Sequence, residues 1–324
     1  MSIINKSLAY SADTLVYNNE CELLWPDTIS ENSLMLKYKL NTVPTFDKGT
    51  GTQVSVNPNI WKLTYDNSDW SSLLTAHYDL TDILSANTIN VTDMHDMVRW
   101  CTSLSSICEL DTENVTNMDT MFNSCTSLQT VPLLNTRNVS SMAYMFNACW
   151  SLTSVPHFNT SAVRNVRKMF YECSSLSSIP LFDTHNVHNM GSFLEFCTSL
   201  TSVPKFDTSN VLSMDYMLDT CVSLTSVPVF DTHNVVIMEG VCEDCNNLTA
   251  IPQFDTTNVT NISRAFQNCI NVQSGALSLY NQATAQAVPP TSHIGTFNRC
   301  GINTEQGSIE LAQIPSGWKM ANEQ

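Results

Sequence analysis

The chain contains the stretch Asn114-Val-Thr-Asn-Met118-Asp-Thr-Met-Phe122-Asn-Ser-Cys125-Thr-Ser-Leu128-Gln-Thr-Val131-Pro132, and this pattern returns every 24 residues. Eight cysteines keep the step, namely Cys101, Cys125, Cys149, Cys173, Cys197, Cys221, Cys245 and Cys269. Eight valines from Val91 to Val259 keep it as well. A fixed period of about 20 to 50 residues is the signature of stacked repeats. The sequence therefore predicts a protein built mainly from stacked units of one kind.

Two hydrophobic patterns alternate within each unit. Apolar residues between 115 and 125 have the spacing of an amphipathic α-helix, and Asn114 suits the N-cap of that helix. Residues 128–131 read as a short strand, which Pro132 ends because proline has no N–H for a β-ladder. We predict an α/β solenoid of 24-residue units, each consisting of a helix, a short parallel strand and a corner.

The full pattern, Phe-Asp-Thr-x-Asn-Val-x-x-Met-x-x-Met-Phe-x-x-Cys-x-Ser-Leu-x-Ser-Val-Pro, resembles the BspA-type leucine-rich repeat of bacterial surface proteins over about residues 66–310. The resemblance implies a leucine-rich-repeat solenoid and a non-enzymatic protein that binds host surfaces or extracellular proteins. Residues 310–318 look like the C-terminal cap of members carried by bacteriophages and prophages. We therefore expect a virion component (tail, fibre or capsid-associated), with a bacterial surface or secreted adhesin as the alternative.

Three regions are expected along the chain. Residues 1–65 do not repeat, and the alternation around Leu34, Leu36 and Tyr38 predicts a small β-rich N-terminal domain that could serve as an attachment module. Residues 66–274 are assigned to the solenoid. Residues 275–324 are assigned to a C-terminal cap that begins with an extra helix.

Bulk composition excludes several classes of partner. The net charge is −16, which opposes binding to nucleic acid or to an anionic membrane. No apolar run approaches the ~20 residues of a membrane helix, so no membrane insertion is expected. Residues 1–10 lack the pattern of a secretory signal. A virion protein is made in the host cytoplasm and released by lysis, which needs no such signal.

No residue pattern points to catalysis, a cofactor or a metal site. A ladder of cysteines places one thiol in each unit, whereas zinc needs four ligands around one point, so we expect buried reduced thiols. Cys242 of the Cys242-Glu-Asp-Cys245 segment replaces a core phenylalanine. His185 and His233 recur two units apart and are expected to be exposed corner residues. We predict that the protein is not an enzyme and holds no cofactor.

Polar ladders have structural and functional interpretations. Asparagines from Asn90 to Asn258 recur at the corners and are expected to cap backbone groups there. Ser and Thr recur at the strand positions, for example Thr153 and Ser154. Those hydroxyls could form a plane that binds glycans or orders water. Hydrogen bonding between neighbouring strands is the favoured interpretation.

Partner contacts are predicted where the chain departs from its own repeat. Aromatic or aliphatic side chains replace polar or small ones at seven such positions, which are Trp100, Tyr144, Trp150, Leu212, Tyr216, Val236 and Ile237. Exposed aromatics offer large contact areas at interfaces. The expected partners are other virion proteins or a host cell-surface protein or glycan. The sequence leaves the ligand and the oligomeric state open.

Overall fold

The structure is a computed structural model that describes residues 32–320. Two predictions therefore fall on residues outside the described part of the chain. They are the absence of a secretory signal in residues 1–10 and the first half of the predicted N-terminal domain.

A five-stranded sheet forms the N-terminal end of the described chain. Strand β1 (Ser33–Tyr38) lies between β3 (Asn59–Thr64) and β4 (Leu80–Asn87) and is antiparallel to both. Strand β2 (Thr50–Ser55) lies at the edge beside β3, and β5 (Ser106–Ile107) pairs in parallel with β4. The order is β2-β3-β1-β4-β5. Strands are thus present where the sequence predicted them, and the sheet continues past residue 65 into the first repeats.

The predicted α/β leucine-rich-repeat solenoid is wrong. The α-helices of the described residues are α1 (Ala276–Thr284) and α2 (Glu305–Gln313), and both follow the repeats. In place of the predicted helix, the units have a run of tight turns. One such run holds Thr120 at φ 57° and Ser124 at φ 61°, whereas every residue of a right-handed helix has negative φ.

Backbone hydrogen bonds in each run of turns alternate between two kinds of partner. The N–H of Lys168 donates to the carbonyl of Gly191 in the next unit at 3.0 Å, and that of Met169 donates three residues back to Val166 at 3.0 Å. The alternation continues along this run and recurs in the other units. Alternate donors therefore tie neighbouring units together, and we call each 24-residue unit a coil.

The predicted short strand is present only in the first two coils, as β4 and β5. There the N–H of Cys108 donates to the carbonyl of Ile83 at 2.9 Å. In the six following coils the position of Cys108 is proline, at Pro132, Pro156, Pro180, Pro204, Pro228 and Pro252. Because proline has no N–H, the parallel ladder cannot continue. Single bonds between coils remain, such as Thr153 N–H to the carbonyl of Gln129 at 3.0 Å, which fits the structural interpretation of the Ser/Thr positions.

The core is a stack of equivalent side chains from successive coils. The Phe146 ring lies 5.3 Å from that of Phe122 and 5.5 Å from that of Phe170, with interplanar angles of 2° and 3°. One continuous cluster of buried residues runs from Leu34 in the sheet to Trp318 near the C-terminus. Trp318 belongs to the cap formed with α1 and α2, and its carbonyl accepts the N–H of Phe297 at 2.9 Å. An extra helix was predicted after the repeats, and α1 lies there.

Cysteine, threonine and asparagine ladders also join the coils. The Cys173 thiol donates to the Phe146 carbonyl of the preceding coil at 3.1 Å. All eight ladder cysteines make this bond as buried free thiols. At the corners, Thr232 Oγ1 donates to the Asp255 carbonyl at 2.8 Å, and Asn234 Nδ2 donates to the Ser209 carbonyl at 2.8 Å. The asparagines therefore satisfy backbone groups as predicted, but of a neighbouring coil rather than of a helix.

Replacing Phe170 by alanine is expected to lower the free energy of unfolding by ~3–5 kcal/mol, because the cavity would lie inside the aromatic stack. Chemical denaturation measures this loss. Leu181→Ala is the control, because Leu181 is 55% exposed, and its effect should stay within ~0.5 kcal/mol. Hydrogen exchange should show protection lost first in the coils around Phe170. Equal loss across the whole chain would contradict this nearest-neighbour stacking.

The ladder thiols are expected to react slowly in the native protein. Burial raises the pKa of the Cys101 and Cys149 thiols to about 12, and the thiolate is the reactive form. A thiol reagent at pH 8 should therefore label the eight ladder cysteines of the native chain slowly, and the unfolded chain at up to twelve cysteines. Mass spectrometry that finds a disulfide between successive ladder cysteines would contradict the structure.

Candidate functional site

The runs of turns leave one side of the stack free to vary. We call this side the turn face, defined as the outward-facing positions of residues 92–102 and their equivalents at steps of 24. The intervening positions, such as Met94, Met97 and Val98, are buried. All seven predicted contact residues belong to the turn face or its rim, and the structure shows which of them lie together.

Leu212, Val236 and Ile237 form a contiguous apolar patch on neighbouring coils. Their side chains are 48%, 37% and 39% exposed. The N–H of Val236 donates to the Leu212 carbonyl at 2.9 Å. Ile237 forms a parallel β-bridge with Ser213, the residue after Leu212. We call these three residues the apolar patch.

The two tryptophans lie outside this patch. Trp100 is 41% exposed and carries the Arg99 guanidinium 4.1 Å above its ring. Trp150 is 51% exposed, and its Nε1 donates to Glu172 at 3.2 Å. Because coils are stacked in chain order at a spacing of about 4.8 Å, Trp150 lies three coils before the patch, and Trp100 lies further away. The structure therefore does not gather all seven residues into one cluster.

The two tyrosines are half-buried rather than exposed. The Tyr216 ring lies over Gly240, where an added Cβ would approach ring atoms to 2.5 Å. Its hydroxyl donates to Glu239 at 2.6 Å and contacts Arg264, two coils further on. Tyr216 is thus engaged within the protein, in a contact that the glycine makes possible.

A second glycine makes room for an ion pair. Arg167 Nη1 reaches over Gly191 to Asp215 at 2.9 Å, two coils away. An added Cβ on Gly191 would lie 2.2 Å from that Arg167 nitrogen. The two spanning contacts, Arg167 to Asp215 and Tyr216 to Arg264, border a pocket of about 440 Å³ on the turn face.

A column of acidic side chains lines this pocket. Glu195, Asp219 and Glu243 occupy equivalent positions in three successive coils. Asp219 and Glu243 are buried, with 8% and 7% exposure. At the equivalent position, other coils carry Arg99, Asn123, Asn147, Tyr171 and Gln267. We call Glu195, Asp219 and Glu243 the acidic column.

Burial raises the pKa of each carboxyl group in this column. Burial is the main cause that raises the pKa of Asp219 to about 7. A hydrogen bond from Thr220 lowers this pKa, whereas the charges of Glu243 and Glu195 raise it further. Burial also raises the pKa of Glu195 and of Glu243. These residues were not predicted from the sequence, because no motif within a single unit contains them. Their signal is a charge that repeats at one position of successive units.

The histidines and the Cys242–Cys245 segment offer no comparable site. His185 and His233 bond their own corner aspartates, Asp183 at 2.6 Å and Asp231 at 3.0 Å. Cys242 is buried, and a hydrogen bond with Cys245 together with burial raises its pKa well above the usual value. Within residues 32–320, no three His, Cys, Asp or Glu side chains are arranged to hold a metal ion.

The repeats match one known protein family. Residues 69–177, 92–203, 151–248 and 190–289 match the family described as Mycoplasma protein of unknown function, DUF285. These overlapping segments cover more than half of the chain, which therefore belongs to this repeat family. The match agrees with the predicted resemblance to BspA-type surface proteins at the level of the family. No curated protein matches the chain. None of the helices between residues 32 and 320 has the length and apolar character needed to cross a membrane.

Asp219→Asn is expected to stabilise the protein at alkaline pH. The pKa of Asp219 is raised on folding, so its ionisation destabilises the folded state progressively as pH rises from about 4 to about 7. The variant should gain little at pH 4 and about 1–2 kcal/mol of unfolding free energy at pH 8, since water screens part of the effect. Denaturation curves at both pH values test this. Equal stability of both proteins at pH 8 would contradict the raised pKa of Asp219.

Proposed function

We propose that the chain is a non-enzymatic protein-binding repeat protein and that its turn face makes the contact. The apolar patch of Leu212, Val236 and Ile237 carries this proposal. In other coils the equivalents of Leu212 and Val236 include Thr92 and Thr116. The stack therefore forms without apolar side chains at these positions.

The setting of the patch supports a protein partner. Three apolar side chains on adjacent coils offer a continuous surface, whereas single exposed apolar residues are common on any protein. Charged groups such as Asp215 and Glu239 flank the patch, as the polar rim of a protein interface does. The net charge of −16 favours a basic or neutral partner, with fast, salt-sensitive encounter in the basic case.

We further propose that the protein is a component of a bacteriophage virion, where it contacts a host-surface protein or another virion protein. The resemblance of residues 310–318 to caps of phage-carried proteins supports this setting. A bacterial surface adhesin is the alternative, and the match to a family described from Mycoplasma supports it. Mass spectrometry of purified particles and protease treatment of intact cells separate the two. Presence in particles supports the virion, whereas absence there with cleavage on intact cells supports the adhesin.

Reverting the patch to the repeat's own polar residues is expected to abolish partner binding without unfolding the protein. The variant combines Leu212→Thr, Val236→Thr and Ile237→Asn, each a residue that other coils carry at the same position. Labelled full-length protein is tested on host cells and on purified particles. We expect a loss of about tenfold or more in binding, as for the centre of an interface.

The matched control is Leu133→Thr combined with Leu181→Thr. Both residues are exposed, at 65% and 55%, and lie in a different column from the patch. This variant should bind like the native protein. Equal loss in both variants, or binding by the patch variant at the native level, would contradict the assignment of the contact to the patch.

A further inference from the structure

We propose that the binding surface extends from the apolar patch to Arg164 and His188, and that the partner protein places a carboxylate there, beside the apolar side chains that cover the patch. This inference rests on the proposed protein-binding function and adds the chemistry of the partner. Arg164 and His188 belong to the column of the turn face that also holds Leu212 and Val236. We call it the first column, and it consists of residues 92, 116, 140, 164, 188, 212, 236 and 260.

The backbone holds the first column in a continuous ladder. The N–H of His188 donates to the Arg164 carbonyl, that of Leu212 to the His188 carbonyl, and that of Val236 to the Leu212 carbonyl, each at 2.9 Å. The side chains of these four residues are exposed and leave the backbone one coil apart, at steps of about 4.8 Å. A cationic half and an apolar half therefore lie on one continuous surface.

Stacking alone does not explain these four residues. The first column holds Thr92, Thr116 and Ser140 before them and Thr260 after them. Threonine at this position adds a bond between coils, since Thr116 Oγ1 donates to the Thr92 carbonyl at 3.3 Å and Thr260 Oγ1 donates to the Val236 carbonyl at 3.2 Å. None of the four replacements makes such a bond within residues 32–320. Four successive coils thus give up a stacking contact, which points to a contact outside the chain.

Arg164 is a cation without an ion pair within residues 32–320. On the same face, Arg167 pairs with Asp215 at 2.9 Å. Arg264 pairs with Glu239 at 2.6 Å. The Arg164 guanidinium has neither an ion pair nor a hydrogen bond to any described residue. Its charge is therefore open to a ligand, in contrast to the two arginines that border the pocket.

A protein carboxylate is the anion that fits this position. The planar guanidinium of arginine binds a carboxylate through two parallel hydrogen bonds. His188 lies between Arg164 and the patch, and its ring N–H can donate to the same group. The net charge of −16 disfavours a nucleic-acid phosphate. Acidic sugars lack the apolar side chains that would cover Leu212 and Val236, so the carboxylate belongs to a partner protein.

The overall charge limits the partner further. A net charge of −16 repels a strongly acidic protein. The partner is therefore neutral or basic overall and carries a few carboxylates at the contact. Neutralising those carboxylates would relieve the long-range repulsion and remove the local contact, and these two effects on binding have opposite signs.

Amidation of the partner's carboxylates tests the inference on the full chain. Host cells and purified particles are treated with a carbodiimide and glycinamide, which converts carboxylates into neutral amides. We expect labelled native protein to bind the treated samples about tenfold more weakly than untreated ones. Equal or tighter binding after amidation would overturn the inference, because the long-range repulsion would then dominate.

The variant Arg164→Ser and His188→Thr assigns that effect to the first column. Its new residues occur in the same column at Ser140 and Thr116, so the variant should fold. It should bind untreated samples about tenfold more weakly than the native protein, and amidation should weaken it no further, because both changes remove one interaction. A further loss equal to that of the native protein would place the carboxylate elsewhere and overturn the inference.

The matched control is His157→Gln combined with Lys205→Gln. It removes one histidine and one cation from a different column, where Gln253 occupies the equivalent position. The control should bind untreated samples within about twofold of the native protein, since salt screens charges that lie outside the contact. Equal losses in this control and in the Arg164 and His188 variant would mean that only net charge matters, and the inference would fail.

Crosslinking identifies the source of the carboxylate. The substitution Arg164→Lys keeps the charge and supplies an amine, which a carbodiimide joins to a carboxylate in contact with it. Mass spectrometry should find position 164 joined to an aspartate or glutamate of another protein. A crosslink to an acidic sugar, or none at position 164, would overturn the inference.

Failure of this inference and failure of the proposed function give different results. Loss of binding in the patch variant, with no effect of amidation or of the Arg164 and His188 variant, would keep the protein contact and reject the carboxylate. The reverse result would keep the carboxylate contact and reject the patch as its centre. No binding of native protein to cells or particles would reject both.

Discussion

The structure depends on one constraint, which is that alternate N–H groups in each run of turns must find their acceptors in the next coil. Two residues per run adopt left-handed torsions to achieve this, such as Lys168 at φ 53° and Glu172 at φ 60°. Each costs roughly 1–2 kcal/mol for an L-residue, and the bonds and core contacts between coils offset that cost. The sheet containing β4 and β5 continues into the first coils, and the cap around Trp318 covers the last one.

The repeat period, the buried positions and the corner ladders could be read from the sequence, but the backbone conformation could not. Inward-facing residues in a run of turns recur at three and four residues, as they do on one face of a helix. The left-handed positions carry residues such as Thr120, Tyr144 and Lys168, which do not identify that conformation. The sequence shows proline at the strand position, but the loss of parallel strand pairing between successive coils was not predicted from it. Proline lacks the N–H that Cys108 donates, and the ladder of β4 and β5 does not continue into the coil of Pro132.

A repetitive sequence provides its own reference for functional residues. Leu212, Val236 and Ile237 were found because they differ from their equivalents, and the structure places them side by side. Tyr216 was found in the same way, but it spans Gly240 within the protein. The acidic column was missed because each carboxylate is unremarkable in its own unit. Stacking places these residues, which are 24 positions apart, in successive coils. Burial is the main cause that raises the pKa of Asp219 to about 7, and the charges of Glu243 and Glu195 add to it.

The most direct test of this account is an NMR measurement of backbone torsion angles at Thr120, Ser124, Lys168 and Glu172. We expect positive φ at all four residues, with hydrogen-bond couplings from Lys168 N–H to the carbonyl of Gly191 rather than to a residue four positions earlier. Negative helical φ at these residues, with bonds to the residue four positions back, would contradict the stacked-turn fold and restore the helix–strand solenoid.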